Sequence, residues 1–195
     1  GCELTHANFL ELARNTREHL ADVVQAEGAS TLLFLPLAHV FARLIQVLAV
    51  AGGVRIGHTS DMKNLVTELG EFRPTFVLAV PRVFEKIFNS AEARAEAAGK
   101  GRLFLAAADA AVDWSRAVDS GRIGLPLRLR HTMFDRLVYQ RIRQSLGGQV
   151  AYAVSGGAPL GERLGHFFRG IGVPVLEGWG LTETTAPATV NTPEE

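Results

Sequence analysis

The chain has 195 residues, 47% hydrophobic and 21% charged, which excludes disorder and collagen-like structure and leaves length enough for a buried core. Lys plus Arg and Asp plus Glu each number 20, and a formal charge of zero argues against a chain that works by neutralising a nucleic-acid backbone. No apolar run reaches the roughly 18 residues of a spanning helix, because Gln46 and the Gly52 Gly53 pair interrupt the strongest candidate, Leu44 to Val54; peripheral membrane contact stays open.

The single cysteine, Cys2, cannot form an intrachain disulfide, so a reducing, cytoplasmic setting is the default expectation. The opening Gly1 Cys2 Glu3 has neither an initiator Met nor a signal-peptide layout, and we expect further sequence upstream. From Thr5, a plausible N-cap, the spacing of Phe9, Ala13, Thr16, Leu20 and Val23 predicts one helix to about Gln25. Thr31 to Pro36 is a continuous apolar run that reads as a strand buried on both faces. A helix over about 39–51, a strand over 54–57, a helix from the N-cap candidate Asp61 to Glu71 and a strand over 75–80 follow. Strand and helix alternate, which predicts an α/β layered fold with a largely parallel sheet.

Pro81 fits the first turn of a helix with Val83, Ile87, Ala91 and Ala95 inward, closed at Gly99 to Gly101. Two more helices come without an intervening strand. One faces inward with Leu103, Ala107, Ala110, Trp114 and Val118; the other, from Pro126 to Leu146, with Phe134, Leu137, Val138, Ile142 and Leu146. This helical excursion, about 82–146, ends at Gly147 Gly148. Alternation resumes with a strand over 150–154, a helix carrying Leu160, Leu164, Phe167, Phe168 and Ile171, and a strand over 173–176.

Two segments carry candidate chemistry. In YAVSGGAPL, an apolar strand feeds Ser155, Gly156, Gly157, Ala158 and Pro159, where backbone can come close to a flat or anionic ligand at a strand's carboxyl end; the bland reading is a tight strand-to-helix turn. In VLEGWGLTETTA, read as a loop, Gly178 and Gly180 flank Trp179, a ring able to stack on a base. Thr182 offers a donor for phosphate oxygen, and Glu183 a hard oxygen ligand for magnesium. This is not the dinucleotide fingerprint, since Glu183 stands where a third Gly belongs.

His39, in LPLAHVF, could orient a carboxylate or phosphate, although a lone His among apolar neighbours is more often a satisfied core residue. The remaining His residues lack metal-ligand spacing, and neither HExxH, CxxC, a Walker loop nor GxSxG occurs. Arg122, Arg128, Arg130, Arg136, Arg141 and Arg143 form a basic run opposed within it only by Asp135; it reads as a solvated face or as a contact for anions or acidic lipid.

Taken together, LPLAHVF (35–41), VPRVFEKIF (80–88), LGGQVAYAVSGGAPL (146–160) and LEGWGLTET (176–184) resemble the adenylate-forming enzymes, and within them the long-chain fatty acid CoA ligases. The opening GCELTHANF resembles the segment after that family's phosphate loop. The resemblance implies that Gly157, Ala158 and Pro159 lie along adenine, with Gly178, Trp179 and Gly180 as its other wall. It further implies that Thr182 meets the α-phosphate, Glu183 holds Mg2+, and His39 sits near the carboxylate at the mouth of the acyl pocket. The implied substrates are a long-chain fatty acid, ATP and coenzyme A. The acid attacks the α-phosphorus to give acyl-AMP and pyrophosphate, and the thiol then displaces AMP. An acyl-AMP ligase serving a carrier protein, and a non-catalytic nucleotide- or lipid-binding remnant, are the alternatives.

The same resemblance implies that the chain is the central part of a large amino-terminal domain. The phosphate loop is then expected before Gly1 and the small carboxyl-terminal domain after Glu195, so the isolated chain is expected to be inactive.

Overall fold

Two buried tetrapeptides seed the architecture in the computed structural model, which describes residues 1–192. Ser30–Leu33 (β1) and Phe76–Ala79 (β3) are buried at every position, as strands covered by helices on both faces must be. β1 pairs in parallel with β2 (Arg55–His58). β3, β4 (Tyr152–Gly156) and β5 (Val175–Leu181) form a parallel sheet in that order, and β6 (Ala186–Val190) closes it antiparallel to β5. The two sheets meet at Ser30 and Thr75: the Thr75 amide donates to the Ser30 carbonyl at 2.9 Å, and the Ser30 amide to Thr75 Oγ1 at 2.9 Å. The fold is α/β, as the alternation of elements predicts.

One face of these strands packs on α1 (His6–His19), α2 (Ala21–Val24) and α3 (Val40–Gly52), burying Leu20, Val23, Ile45 and Leu48 with Leu33, Phe76 and Val154. The other face packs on α4 (Leu65–Phe72), α5 (Pro81–Ala97), α6 (Gly101–Asp119), α8 (Gln140–Ser145) and α9 (Glu162–Gly170). Its centre is aromatic. Phe84 meets Phe168 edge-on at 5.4 Å, and Phe88 meets Phe167 at 4.8 Å, within the range where such geometry adds to simple burial.

Several boundaries differ from the sequence expectation, each for a local reason. The first helix stops at His19, because Leu20 leaves helical backbone (φ −116°, ψ 36°) and its carbonyl starts the short α2. Asp61 does not cap α4; Asn64 holds that place, and the Asp61 carboxylate instead accepts from the Asn64 side chain and the Lys63 and Asn64 amides. Those bonds, the Asn64 side chain foremost, hold Asp61 below the usual carboxylate range. Leu160 precedes α9 and does not belong to it. Val118 is exposed.

Leu137 is likewise exposed. Between α7 (Leu125–Phe134) and α8, residues Asp135–Tyr139 form a π-helical turn, which adds a residue to the turn. Tyr139, five positions after Phe134, therefore follows it inward; its hydroxyl donates to the Ala107 carbonyl at 2.7 Å, and burial pushes its phenol pKa well up. The strand after α9 differs most. It was expected over 173–176, yet β5 runs through Glu177, Gly178, Trp179 and Gly180, because β6 gives it a partner.

α6 and α9 cross with their backbones nearly touching at Gly170, where an added Cβ would lie 2.0 Å from the Ala111 carbonyl oxygen. Gly170→Ala is expected to force the helices apart and cost about 2–3 kcal/mol, read as a lowered midpoint in chemical denaturation.

Candidate functional site

The carboxyl ends of β3, β4 and β5 open onto a cleft of about 1500 Å3 bounded by α1, α3 and β6. Its interior is apolar, with Phe9, Leu44, Leu48, Phe76 and Leu78 among the lining residues. Parallel pairing sets the rim: Ser155 is level with Glu177 and Gly156 with Gly178. Phe41 of α3 packs beside Gly156, 3.6 Å from where a Gly156 Cβ would stand. Gly157, at φ +86°, then turns the chain out of the sheet, a conformation that favours glycine.

Of the residues singled out in the sequence, His39, Gly157, Gly178, Trp179, Gly180 and Thr182 line this cleft. Ala158, Pro159 and Glu183 are exposed and do not belong to its lining. The core reading of His39 fails, since it is exposed at the start of α3 and its side chain makes no capping bond. Trp179 stays 62% exposed, an indole ring beside open backbone.

The segment after Trp179 is a strand edge and tight turn, not a loop. Thr182–Thr184 make a 3-10 turn held by Thr184, whose Oγ1 accepts from the Leu181 amide and donates toward the Leu181 and Ala186 carbonyls. Beyond it Thr185 (φ 67°) and Ala186 (φ 110°) occupy the left-handed region without being glycine. Such strain costs on the order of 1–3 kcal/mol per residue and clusters at ligand clamps. The Thr182 hydroxyl and Glu183 carboxylate lie at the tip of this strained hairpin, with no hydrogen bond from either side chain to described residues.

Sequence reasoning missed Glu177. Its carboxylate accepts from the Leu160 amide at 2.8 Å, tying the GGAPL turn to the EGWG strand. Only the parallel register of β4 and β5 brings these positions together, so a charged residue in an apolar strand was the only local signal.

Outside the cleft, Ser115 Oγ lies 3.0 Å from His166 Nδ1, and His166 Nε2 lies 3.7 Å from Glu162. The array has the residue types of a hydrolase triad, but Ser115 is 1% exposed and lines neither cavity, which makes it a cross-link between α6 and α9. Of the basic run, Arg130 pairs with Asp113 of α6 at 2.5 Å and Arg143 with Asp135 at 2.7 Å. Asp135 opposes the run from within, and Asp113 adds a second opposing charge from outside it. Among the described residues no cluster of three or more His, Cys, Asp or Glu could hold a metal by itself, and no helix is long and apolar enough to cross a membrane.

The AMP-binding enzyme family matches residues 1–195. The chain belongs to that family. It is 51% identical over 191 residues to the long-chain-fatty-acid–CoA ligase FadD15 of Mycobacterium bovis, covering 98% of this chain and 32% of that protein. It is 34% identical to long chain acyl-CoA synthetase 4 of Arabidopsis thaliana over 84% of this chain and 24% of that one. The chain therefore spans about a third or less of the curated relatives it matches. Solved structures share its fold: the amino-terminal domain of FACL13 from Mycobacterium tuberculosis (TM-score 0.61, 20% identity, 98% of this chain and 36% of that one). A second is O-succinylbenzoate coenzyme A synthetase from Bacillus subtilis, in complex with ATP and magnesium ion (TM-score 0.61, 15% identity, 100% and 30%).

Two glycines of the β5–β6 hairpin make opposite predictions. A Cβ on Gly180 would lie 1.6 Å from the Ala186 carbonyl oxygen, whereas on Gly178 its nearest neighbour is 3.5 Å away. Gly180→Ala is expected to open the β5–β6 hairpin, seen as fast amide exchange from Gly178 to Val190. Gly178→Ala is expected to leave that protection intact.

Proposed function

We propose that the protein carrying this chain is a long-chain fatty acid CoA ligase. The observation that supports this best is one cleft with an apolar interior and a rim of exposed peptide, indole, imidazole and hydroxyl groups. An aliphatic chain suits the interior, and a nucleotide the rim. The 51% identity to a long-chain-fatty-acid–CoA ligase along nearly the whole chain supports the substrate class.

In the first step, a carboxylate oxygen of the fatty acid bonds to the α-phosphorus of ATP while the bond to the β-phosphate bridging oxygen breaks, releasing pyrophosphate. In the second, the thiol of coenzyme A adds to the acyl carbonyl, AMP leaves and the thiol proton passes to solvent. The residues contribute alignment more than acid–base chemistry. Trp179 and the Gly156–Gly178 backbone hold the base, Gly157 with Ala158 and Pro159 border it, Thr182 donates to an α-phosphate oxygen, and His39 steers the carboxylate at the cleft mouth. A magnesium ion, when bound, neutralises phosphate charge and polarises the phosphoryl centre. Glu183 fits it in kind: magnesium takes one or two carboxylates and fills its remaining positions with phosphate oxygens and water, so a single exposed acid on a hairpin tip suffices.

The test is fatty-acid-dependent exchange between ATP and labelled pyrophosphate in the full-length protein. Glu183→Gln is expected to slow exchange by roughly 100-fold or more, the scale of losing a metal-stabilised charge. Absence of exchange with every long-chain acid, or an unaffected variant, would sink the reading. Adding coenzyme A with no thioester formed would favour the acyl-AMP ligase that serves a carrier protein.

We further propose a cytoplasmic setting with peripheral contact to an acidic membrane surface. Leu125, Leu129, Met133 and Leu137, four residues apart, leave an apolar stripe exposed by 73, 73, 48 and 48% along α7 and its π-turn. Arg122, Arg128, Arg136 and Arg141 accompany it, all exposed and without an ion pair among the described residues. Apolar stripes flanked by cations suit the headgroup boundary of anionic lipid. In vesicle sedimentation, Arg128→Gln with Arg136→Gln is expected to weaken binding about 25-fold, at about 5-fold per cation. Equal binding to neutral and acidic vesicles would refute it.

A further inference from the structure

On the side of the sheet away from the cleft, α5, α6 and the π-turn with α8 enclose a second cavity of about 300 Å3, at the lower end of small-molecule sites. Ile87, Ala91, Leu103, Phe104, Val138 and Ile142 make its wall. The π-turn shapes it: the extra residue per turn that carries Tyr139 inward leaves Val138 facing the groove and Leu137 at its rim. Around the same space stand Arg94 of α5, Lys100 at the α5–α6 connection and Arg141 of α8, all exposed.

No carboxylate lines the groove, and none of the three cations has an ion pair among the described residues. Three like charges around an apolar wall repel one another, and the wall's low polarisability strengthens their field on any anion that enters. The pairing of a greasy floor with lining charges that are all cationic, beside the hydroxyls of Ser90 and Ser145, selects one ligand chemistry. A polar anion would leave the floor unused, and a neutral lipid would leave the charge unused.

We propose that this groove binds a single-chain anionic amphiphile, its acyl chain along Phe104, Val138 and Ile142 and its carboxylate or phosphate head among Arg94, Lys100 and Arg141. The volume suits one chain and not two. This site is separate from the cleft and does not rest on the chemistry assigned there.

The experiment is methyl NMR on the full-length protein titrated with dodecanoate, dodecyl phosphate and dodecanol below their micellar concentrations. Ile87, Leu103 and Ile142 report on the groove, and Ile45 and Leu48 on the cleft, so the two sites fail independently. Both anions are expected to shift the groove methyls, and dodecanol to bind there roughly 10-fold more weakly; whichever anion binds tighter identifies the head as carboxylate or phosphate. Arg94→Gln with Arg141→Gln is expected to weaken the anions roughly 10-fold or more without moving the cleft shifts, and Val138→Trp to fill the groove and remove its shifts. Groove methyls that stay still at saturating anion, respond equally to dodecanol or ignore the double Arg variant would overturn the proposal.

Discussion

The parallel register of β3, β4 and β5 is the constraint on which the rest of the molecule depends. It sets Ala79 beside Ser155, Ser155 beside Glu177 and Gly156 beside Gly178, so three segments far apart in sequence meet at one level. A slip of one residue in β4 would reverse the faces of Ala153 and Val154, which serve different cores, and would move the Gly156–Gly178 pair apart. Register is thus held by burial on both faces at once. The cleft inherits its rim from a decision made in the core.

Around that rim the polar bonds are few and placed where strands end. Glu177 spends its carboxylate on the Leu160 amide and its backbone carbonyl on the Asn191 amide, so one residue binds the GGAPL turn on one side and the last strand on the other. The strain at Thr185 and Ala186 is borne by the hairpin that Thr184 closes. A relaxed turn would need glycine there. The chain instead keeps Thr and Ala and holds them in place by pairing β5 with β6 and by burying both residues.

Much of this was legible in the sequence, and the failures share a cause. Buried strands such as FVLA and the helix carrying Phe167 and Phe168 announce themselves through local pattern, because their partners cover every apolar position. β6 does not, since APATV has two exposed positions and no apolar run, and it exists because β5 offers an open edge. The π-turn was equally hidden: a 3.6-residue period places Leu137 inward, and only packing of Tyr139 on α6 reveals the added residue. For the site, residue type pointed to His39, Trp179 and Thr182, all on the cleft. It could not foresee that Glu183, beside Thr182, would stand off the lining, or that Glu177 would join two motifs. Local chemistry is readable from residues; adjacency created by register is not.

The glycines sharpen the distinction between what the fold requires and what it permits. At Gly170 a Cβ would press to 2.0 Å of neighbouring backbone, so packing alone accounts for the missing side chain, and at Gly147 a 2.7 Å approach joins a φ of +97°. Gly156 and Gly178 differ. Neither has a positive φ, and a Cβ on either would find its nearest neighbour at 3.5 Å, an ordinary contact. Glycine in a strand interior weakens it, by roughly 0.5–1 kcal/mol relative to alanine, and here neither conformation nor packing offsets that cost. Two register-paired strand glycines on the cleft lining thus carry a penalty the fold does not demand. Under the proposed function, a flat base that needs backbone within reach accounts for that penalty, whereas an aliphatic chain, which needs bulk around it, does not. The proposed function then takes a definite orientation, with the nucleotide at the glycine rim and the chain in the apolar interior.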